Sequence, residues 1–285
     1  MEDQHKIIVF QEKEIRRVWH NEEWFYSVLD VIEVLADTAK PTDYFKKMRQ
    51  RDEQLKSYVG TNCPQVEMEG VGGKKRKTIA SNTEGLFRII QSIPSSRAEP
   101  FKLWLAKVGY ERIQEIENPE LAAERARQYY RDLGYDDNWI ETRLQSIAVR
   151  GQLTDEWKGR GVEAGLEYAI LTAEISKATF GLIPSEYKKV KGLKREELRD
   201  HMTNLELIFT MLGEEETKNE AIDTDAQGFD ENRDAARKGG GSAGKALDAF
   251  EQSSGRKVVS PSNFKGQIEE AKKKQKMLKK GKDVE

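Results

Sequence analysis

A run of four basic residues just after a glycine-rich turn is the feature of this sequence with the clearest chemistry. The four are Lys74, Lys75, Arg76 and Lys77. Residues 65–68 and 75–80 are both typical of β-strands, so the pattern predicts a hairpin whose turn spans residues 70–74. Lys and Arg bind phosphate oxygens, and glycines let the main chain approach closely with its N–H groups free. A two-stranded ribbon also fits the major groove of DNA. The hairpin is therefore predicted to contact DNA; the alternative is a solvated strand edge, where Lys blocks pairing with other chains.

A second basic cluster lies on the helix that is predicted before this hairpin. It consists of Lys46, Lys47, Arg49 and Arg51. The helix is expected to begin at Pro41 or Thr42 and to run past Leu55. The two clusters together form the predicted DNA-binding surface. Arg16 and Arg17 could extend it from an earlier strand; since successive strand residues point to opposite faces, at most one of the two is expected to take part.

Six aromatic residues of the first 105 positions admit two interpretations. They are Trp19, Trp24, Phe25, Phe87, Phe101 and Trp104. Exposed aromatic rings stack on the unpaired bases of single-stranded nucleic acid, but the spacing of these residues favours packing in a core.

Two polar residues are expected to cap a helix or to form hydrogen bonds. Asp30 stands at the start of a helix, and Asn82 precedes another helix in which Gly85 allows close packing.

No arrangement of residues indicates a catalytic, metal or cofactor site. The histidines His5, His20 and His201 are far apart, and no metalloprotease, serine-hydrolase or Cys/His motif is present. His201 is expected to be a helix-surface or buried hydrogen-bonding residue, and the three consecutive glutamates 214–216 a solvated charge block. We therefore expect a protein that is not an enzyme. A metal-dependent enzyme that acts on nucleic acid through scattered Asp and Glu is the enzymatic alternative.

The segment from Gly239 to Ala246 resembles a phosphate-binding loop in its first seven positions. It has Ala246 where such a loop needs Ser or Thr to bind Mg²⁺, and no β-strand is predicted before it. We therefore predict a flexible glycine linker. Residues 214–234, which contain nine acidic and two basic residues, are predicted to belong to the same mobile connection.

Composition and charge distribution narrow the function classes. The chain has 285 residues, of which 37% are hydrophobic and 34% charged, enough for one large or two ordinary domains. Its net charge of −2 does not show that the charge is unevenly distributed along the chain. Residues 40–77 carry ten basic and five acidic side chains, and residues 265–282 carry eight basic and two acidic side chains. An anionic partner is therefore allowed, and the acidic stretch could cover a basic surface.

The single cysteine, Cys63, excludes an intrachain disulfide. Without a secretory signal or a long apolar run, we expect a cytoplasmic protein that does not cross a membrane.

The character of the chain changes near Asn118. We predict an α+β N-terminal domain over residues 1–115, built from two β-ribbons that each lead into a helix, and a mainly α-helical second domain over residues 116–264. The first ribbon is residues 7–10 and 15–19. Apolar residues at helical spacing predict helices at 121–133, 138–149, 165–180 and 196–212. For the basic tail, residues 265–285, we expect disorder, with a solvated helix as the alternative.

The order of residues over about positions 7 to 115 resembles the BRO-type N-terminal domain of phage and prophage antirepressors. The residues that carry the resemblance are Trp24, Phe25, Asp30, Val31, Leu35, Asn82, Gly85, Leu86, Arg88, Ile90, Ala98, Phe101, Lys102, Trp104 and Leu105. The resemblance implies a DNA-binding domain.

The second half of the chain is similar to the C-terminal part of the DNA damage-inducible protein D family. The matching residues are Lys191, Gly192, Leu193, His201, Met202, Leu205 and Glu206, with a weaker match at Gly244, Lys245 and Gly255. The chain departs from that family's pattern near residues 260–262. The resemblance implies a regulator connected with phage induction or the SOS response.

These observations together predict a DNA-binding regulator whose helical domain mediates self-association or contacts another protein. The antirepressor resemblance implies a repressor as that partner, and the damage-inducible resemblance implies the recombinase filament on single-stranded DNA. Wide apolar stripes on the helices indicate a homo-oligomer. The alternative is a protein-interaction module that binds the repressor or recombinase without contacting DNA.

Overall fold

The computed structural model describes residues 7–10, 13–70 and 73–282. The chain divides into two compact units, with the boundary after Pro119. The first unit combines a small antiparallel sheet with helices, and the second is almost entirely helical, which confirms the predicted fold class. None of the described helices is long and apolar enough to span a membrane.

Five antiparallel strands of the first unit form one sheet in the order β1-β2-β3-β5-β4. Their bounds are β1 Ile7–Phe10, β2 Lys13–His20, β3 Glu23–Ser27, β4 Gln65–Glu69 and β5 Lys75–Ser81. The two predicted ribbons are therefore joined, although β3 and β5 pair only at Tyr26–Ser81 and Ser27–Ala80. The turn between β2 and β3 consists of two residues with positive φ, Asn21 at 48° and Glu22 at 64°, the backbone that a tight hairpin turn requires.

Five helices of the first unit accompany the sheet. They are α1 Val28–Ala36, α2 Pro41–Arg51, α3 Glu53–Asn62, α4 Thr83–Gln91 and α5 Glu99–Glu117. The helix predicted from Pro41 past Leu55 is in fact two helices. Asp52 has an extended backbone that ends α2, and its side chain accepts the N–H of Leu55 at 2.8 Å to cap α3. Asp is a strong N-cap residue, which explains why a new helix begins here.

Two apolar clusters hold the first unit together. The larger one packs α1, α2, α3 and α4 around Val28, Ile32, Leu55 and Ile89. The smaller one links the two ribbons. It consists of Phe25, Val66, Met68 and Ala80, with Val18 against it. The basic hairpin is thus anchored at its base by apolar contacts.

The second unit contains seven α-helices and a short 3₁₀ helix within the described residues. They are α6 Glu120–Asp132, α7 Asp137–Gly159, α8 Leu166–Phe180, α9 Pro184–Val190, the 3₁₀ helix Leu198–His201, α10 Asn204–Asp223, α11 Gly228–Ser254 and α12 Lys265–Lys282. An aromatic cluster around Tyr135 and Trp139 forms one core, and Trp157 with Leu171 forms another.

The predicted mobile connection with its flexible glycine linker is wrong. Helix α10 continues through the acidic residues to Asp223, and the glycines lie inside α11. A Cβ on Gly239 would stand 2.3 Å from the backbone N of Thr217, and one on Gly240 would stand 2.8 Å from the carbonyl oxygen of Ile175. The glycines therefore let α11 pack directly against the backbones of α10 and α8. This packing compensates for the low helix propensity of glycine.

The predicted solvated block at residues 214–216 is also wrong for its first member. Glu214 is buried, and its carboxylate accepts hydrogen bonds from Arg150, at 3.4 Å, and from Arg199. Glu215 forms an ion pair with Lys218 at 2.7 Å. A carboxylate can be buried when cations and hydrogen bonds replace its hydration, and the two arginines supply them here.

The segment from Gly255 to Phe264 carries the chain from α11 to α12 and is held by three buried polar residues. Ser260 donates its N–H to Glu206 at 3.1 Å, Lys191 donates to the carbonyl oxygen of Ser262 at 2.8 Å, and the N–H of Phe264 donates to Nδ1 of His201 at 3.1 Å. His201 is thus the buried hydrogen-bonding residue of the two alternatives.

Of the two alternatives for the basic tail, disorder or a helix, the structure has the helix, from Lys265 to Lys282. Phe264 and Ile268 pack against the aromatic cluster of the second unit, so the start of the helix has an apolar anchor. Residues 283–285 of the predicted tail lie outside the described residues.

The close packing of α11 predicts opposite effects for two neighbouring glycines. Gly239→Ala should lower the free energy of unfolding by about 2 kcal/mol or more, because the new methyl group meets the backbone of α10. Gly241 lies in the same helix, and a Cβ there would meet open space. Gly241→Ala should therefore raise the free energy of unfolding by roughly 0.5–1 kcal/mol through helix propensity. Chemical denaturation of both variants measures the difference. Equal stabilities would contradict the packing.

The stability of the second unit should fall as His201 is protonated. Burial lowers the pKa of His201 below its ordinary value of 6.5, with Lys191 and Lys265 acting in the same direction and Asp200 and Glu196 opposing them. The unfolded chain therefore binds the proton more readily, and the free energy of unfolding should drop as the pH falls below about 6.5. Denaturation at about pH 7.5 and 5.5 should show a smaller drop for His201→Asn than for the parent. An equal drop would contradict the assignment.

Candidate nucleic-acid interface

The basic hairpin presents all four of its predicted residues to solvent. Lys75 and Lys77 lie on β5 opposite Glu69 and Glu67 of β4, and Arg76 lies opposite Met68. Within the described residues no ion pair joins Lys74, Lys75, Arg76 or Lys77 to a carboxylate. The positive charge of the hairpin is therefore available to an anion from outside.

The turn of the hairpin is held by its own main chain. Gly70 donates its N–H to the carbonyl oxygen of Lys74 at 2.9 Å, and Gly73 donates to that of Gly70 at 3.1 Å. Gly73 has a φ of +75°, a backbone conformation that favours glycine. Val71 and Gly72, the other residues of the predicted turn, lie outside the described residues. The turn thus fixes where β5 begins and, with it, the position of the basic run.

The second basic cluster divides into three exposed residues and one partly buried residue. Lys46, Lys47 and Arg51 of α2 are exposed, whereas the guanidinium of Arg49 lies over the ring of Phe45, 4.8 Å from its centroid. Burial raises the pKa of the Cys63 thiol, and the nearby charge of Arg49 acts against this rise. Because Cys63 leads directly into β4, the end of α2 lies close to the base of the hairpin. No hydrogen bond joins the two basic clusters within the described residues.

The structure distinguishes Arg16 from Arg17. Arg16 donates its backbone N–H to the Asp30 carboxylate at 3.0 Å, Nε at 2.8 Å and Nη2 at 2.6 Å, and these bonds raise its pKa. Arg16 is therefore neutralised internally. The guanidinium of Arg17 instead lies 4.1 Å from the centroid of the Trp24 ring. Asp30 has the predicted hydrogen-bonding role, while the cap of α1 is Ser27.

The aromatic residues do not all belong to the core. Phe25 is buried between the ribbons, and Phe101 packs against the larger cluster. The core interpretation is wrong for Trp19 and Trp104, which are 45% and 49% exposed. Trp19 lies across from Trp24 in the β2–β3 ladder, with ring centroids 5.3 Å apart. Trp19 lies at the end of β2, separated from the two-residue turn by His20, and Trp104 lies on α5.

A patch of Arg17, Trp19 and Trp24 thus lies near the end of the first ribbon, and the sequence interpretation missed it. The sequence contains a signal for this patch, because Arg17 and Trp19 are two residues apart and so share a strand face. Two adjacent positive-φ residues, Asn21 and Glu22, then bring Trp24 opposite Trp19. Reading the tight turn as a hairpin would have found the patch.

Asn82 is the predicted N-cap and also joins two elements. Its Oδ1 accepts the N–H of Gly85 at 2.9 Å, and its Nδ2 donates to the carboxylate of Glu23 at 3.1 Å. A Cβ on Gly85 would stand 2.1 Å from Oγ of Ser81, so the predicted close packing is confirmed. The start of α4 is thereby fixed to the start of β3.

The arrangement offers no support for metal chemistry or phosphate-loop chemistry. Within the described residues no group of three or more His, Cys, Asp and Glu side chains could hold a metal ion. Residues 239–246 lie inside α11, where the backbone N–H groups are engaged in the helix. His5 lies outside the described residues.

Residues 14–114 match the family model described as BRO family, N-terminal domain. This span contains the whole basic hairpin, both basic clusters and the Arg17, Trp19 and Trp24 patch. BRO N-terminal domains are associated with DNA-binding regulators of the phage antirepressor type. No curated protein matches this chain.

Proposed function

We propose that the first unit binds DNA through the exposed residues of the basic hairpin and α2. The observation that carries this proposal is the basic run from Lys74 to Lys77 at the start of β5, whose four side chains are exposed and have no ion-pair partner within the described residues. Charged side chains of this kind bind the phosphate backbone, which supplies most of the affinity of non-specific binding. The BRO N-terminal match supports the same partner.

The hairpin and α2 would have different roles on a duplex. A β-ribbon can enter the major groove, where Arg76 is suited to a bidentate contact with a guanine. Lys46, Lys47 and Arg51 lie on a helix whose other face packs in the core, so they would contact phosphates and fix the register of the domain. In this proposal Lys75 and Lys77 contact the backbone on either side of the groove.

The second unit would serve as the regulatory part of the protein. We propose self-association or binding to a repressor or to the recombinase filament, in the cytoplasm and in response to DNA damage. The similarity to the damage-inducible family supports this role.

A protein-interaction module that never contacts DNA is the second candidate. The observation in its favour is the exposed apolar surface of α5, where Leu103, Tyr110, Ile113 and Ile116 are each more than half exposed. Surfaces of this kind mark contacts with other proteins. In that case the hairpin charge would dock an acidic surface.

A charge-removal series separates the two candidates. Changing Lys74, Lys75, Arg76 and Lys77 to Ser should weaken duplex binding, because each lost phosphate contact lowers the slope of log affinity against log salt by about 0.9. The control changes four other basic residues of the same unit to Ser: Lys40, Lys56, Arg97 and Lys107. Three of these are ion-paired, with Glu53, Asp37 and Glu111, so the control should keep the parental slope. Titration of the full chains with a labelled duplex gives both slopes, and identical slopes for the two variants would remove the hairpin assignment.

The exposed Trp19 predicts a separate contribution to single-stranded binding. Trp19→Ala should cost roughly 1–3 kcal/mol of binding free energy for a single strand, if one base stacks on the ring, and leave duplex affinity unchanged. Trp104→Ala is the matched control, because Trp104 is similarly exposed but lies on α5. Anisotropy titrations with a labelled single strand measure both. A Trp19 variant that binds the single strand as the parent does would show that the patch takes no base.

A further inference from the structure

Helix α12 has the largest excess of basic over acidic residues among the described helices. Its span from Lys265 to Lys282 contains eight basic and two acidic residues. The eight are all lysines, and no aromatic residue lies among them. Such a helix would be roughly 27 Å long, at 1.5 Å per residue. The charge is therefore concentrated along one element and not spread over the surface of the unit.

Three consecutive lysines of α12 have no acidic partner within the described residues. Lys265 at the start of the helix is engaged, with Glu196 at 2.8 Å. Lys272, Lys273 and Lys274 are exposed, and no ion pair joins them to a carboxylate within the described residues. The acidic stretch 214–234 is occupied elsewhere, as in the pairs Asp225–Arg160 and Glu220–Lys238. Lys272, Lys273 and Lys274 thus resemble the lysines of the hairpin in having no ion-pair partner within the described residues.

The apolar anchor of α12 lies before its exposed lysines along the helix. Ile268, in the first turn, packs against the aromatic cluster. Lys272, Lys273 and Lys274 follow one turn or more later and are exposed. The helix can therefore stay attached to the second unit at its start while these three lysines face solvent.

We propose that α12 is a second binding element for duplex DNA, separate from the hairpin and α2. Lysines act as point charges that meet phosphate oxygens without reading bases, so the contact would be independent of sequence. A membrane surface fits less well, because interfacial helices need large apolar residues on the opposite face, and here one of the few, Ile268, is partly buried and already packs against the aromatic cluster. The inference adds a site to the proposed function and is tested apart from it.

The experiment measures duplex binding by the full chain over a salt series of roughly 50 to 200 mM. In one variant Lys272, Lys273, Lys276, Lys279 and Lys280 become Gln, which keeps helix propensity. The matched control changes five other exposed lysines of the second unit to Gln: Lys158, Lys177, Lys189, Lys194 and Lys245. The hairpin variant of the preceding section is measured alongside, and circular dichroism verifies that each variant is folded.

We expect the α12 variant to lower the log–log salt slope by about 1.8 or more, the value for two lost phosphate contacts, while the control leaves it unchanged. The hairpin variant should retain a salt-dependent residual affinity that disappears when both sets of changes are combined. An α12 variant indistinguishable from the control would overturn the second site and leave the hairpin assignment standing. If the hairpin variant binds as the parent does and the α12 variant does not, the proposed function of the first unit fails and the inference about α12 stands.

Discussion

A charged group can enter a protein interior only with partners that replace its hydration, and the second unit is organised around one such group. The carboxylate of Glu206 is fully buried and binds Nζ of Lys191 at 2.8 Å, Oη of Tyr187 at 2.8 Å and the N–H of Thr203 at 2.6 Å. Burial, with the adjacent carboxylate, raises the pKa of Tyr187, so its hydroxyl stays a donor. The fourth donor is the N–H of Ser260. This carboxylate therefore joins α9, α10 and the segment that leads to α12.

The same constraint explains why the acidic stretch is structural. Six of its nine carboxylates form ion pairs with basic residues of the second unit: Glu214 with Arg150 and Arg199, Glu215 with Lys218, Glu220 with Lys238, Asp225 with Arg160, Asp230 with Arg233 and Asp234 with Arg237. Most of these pairs are exposed and contribute little to stability individually. Their effect is to engage the negative charge of the stretch with basic residues of the same unit. This stretch is therefore a poor candidate for masking a basic surface.

Periodic patterns predicted the two ribbons and most helices, but not that the ribbons join in one sheet, because strand and helix spacing are local properties. Local reasoning also found the Asn82 cap, whose bond reaches only three residues along the chain. It failed where the environment of a residue depends on a neighbour far along the chain. The glycines at 239 and 240 indicate a linker until the backbones of α8 and α10 are placed beside them. Glu214 looks solvated until Arg150, 64 residues away, is found against it. The site shows the same difference. The exposure of the hairpin lysines follows from their local run of charge, whereas the internal pairing of Arg16 depends on Asp30, 14 residues away.

The distribution of unpaired charge then connects the fold to its partner. The cations that stabilise the fold, such as Arg16, Lys191 and Arg199, each have a carboxylate within the chain. The exposed lysines of the hairpin and of α12 have none within the described residues, and both sets lie on elements anchored by apolar contacts at one end. Anchored elements hold like charges together against their mutual repulsion, and this repulsion is relieved when a polyanion neutralises them. A protein of nearly zero net charge can thus keep two concentrated positive surfaces, because its negative charge is engaged in its own interior and on the helices beside it.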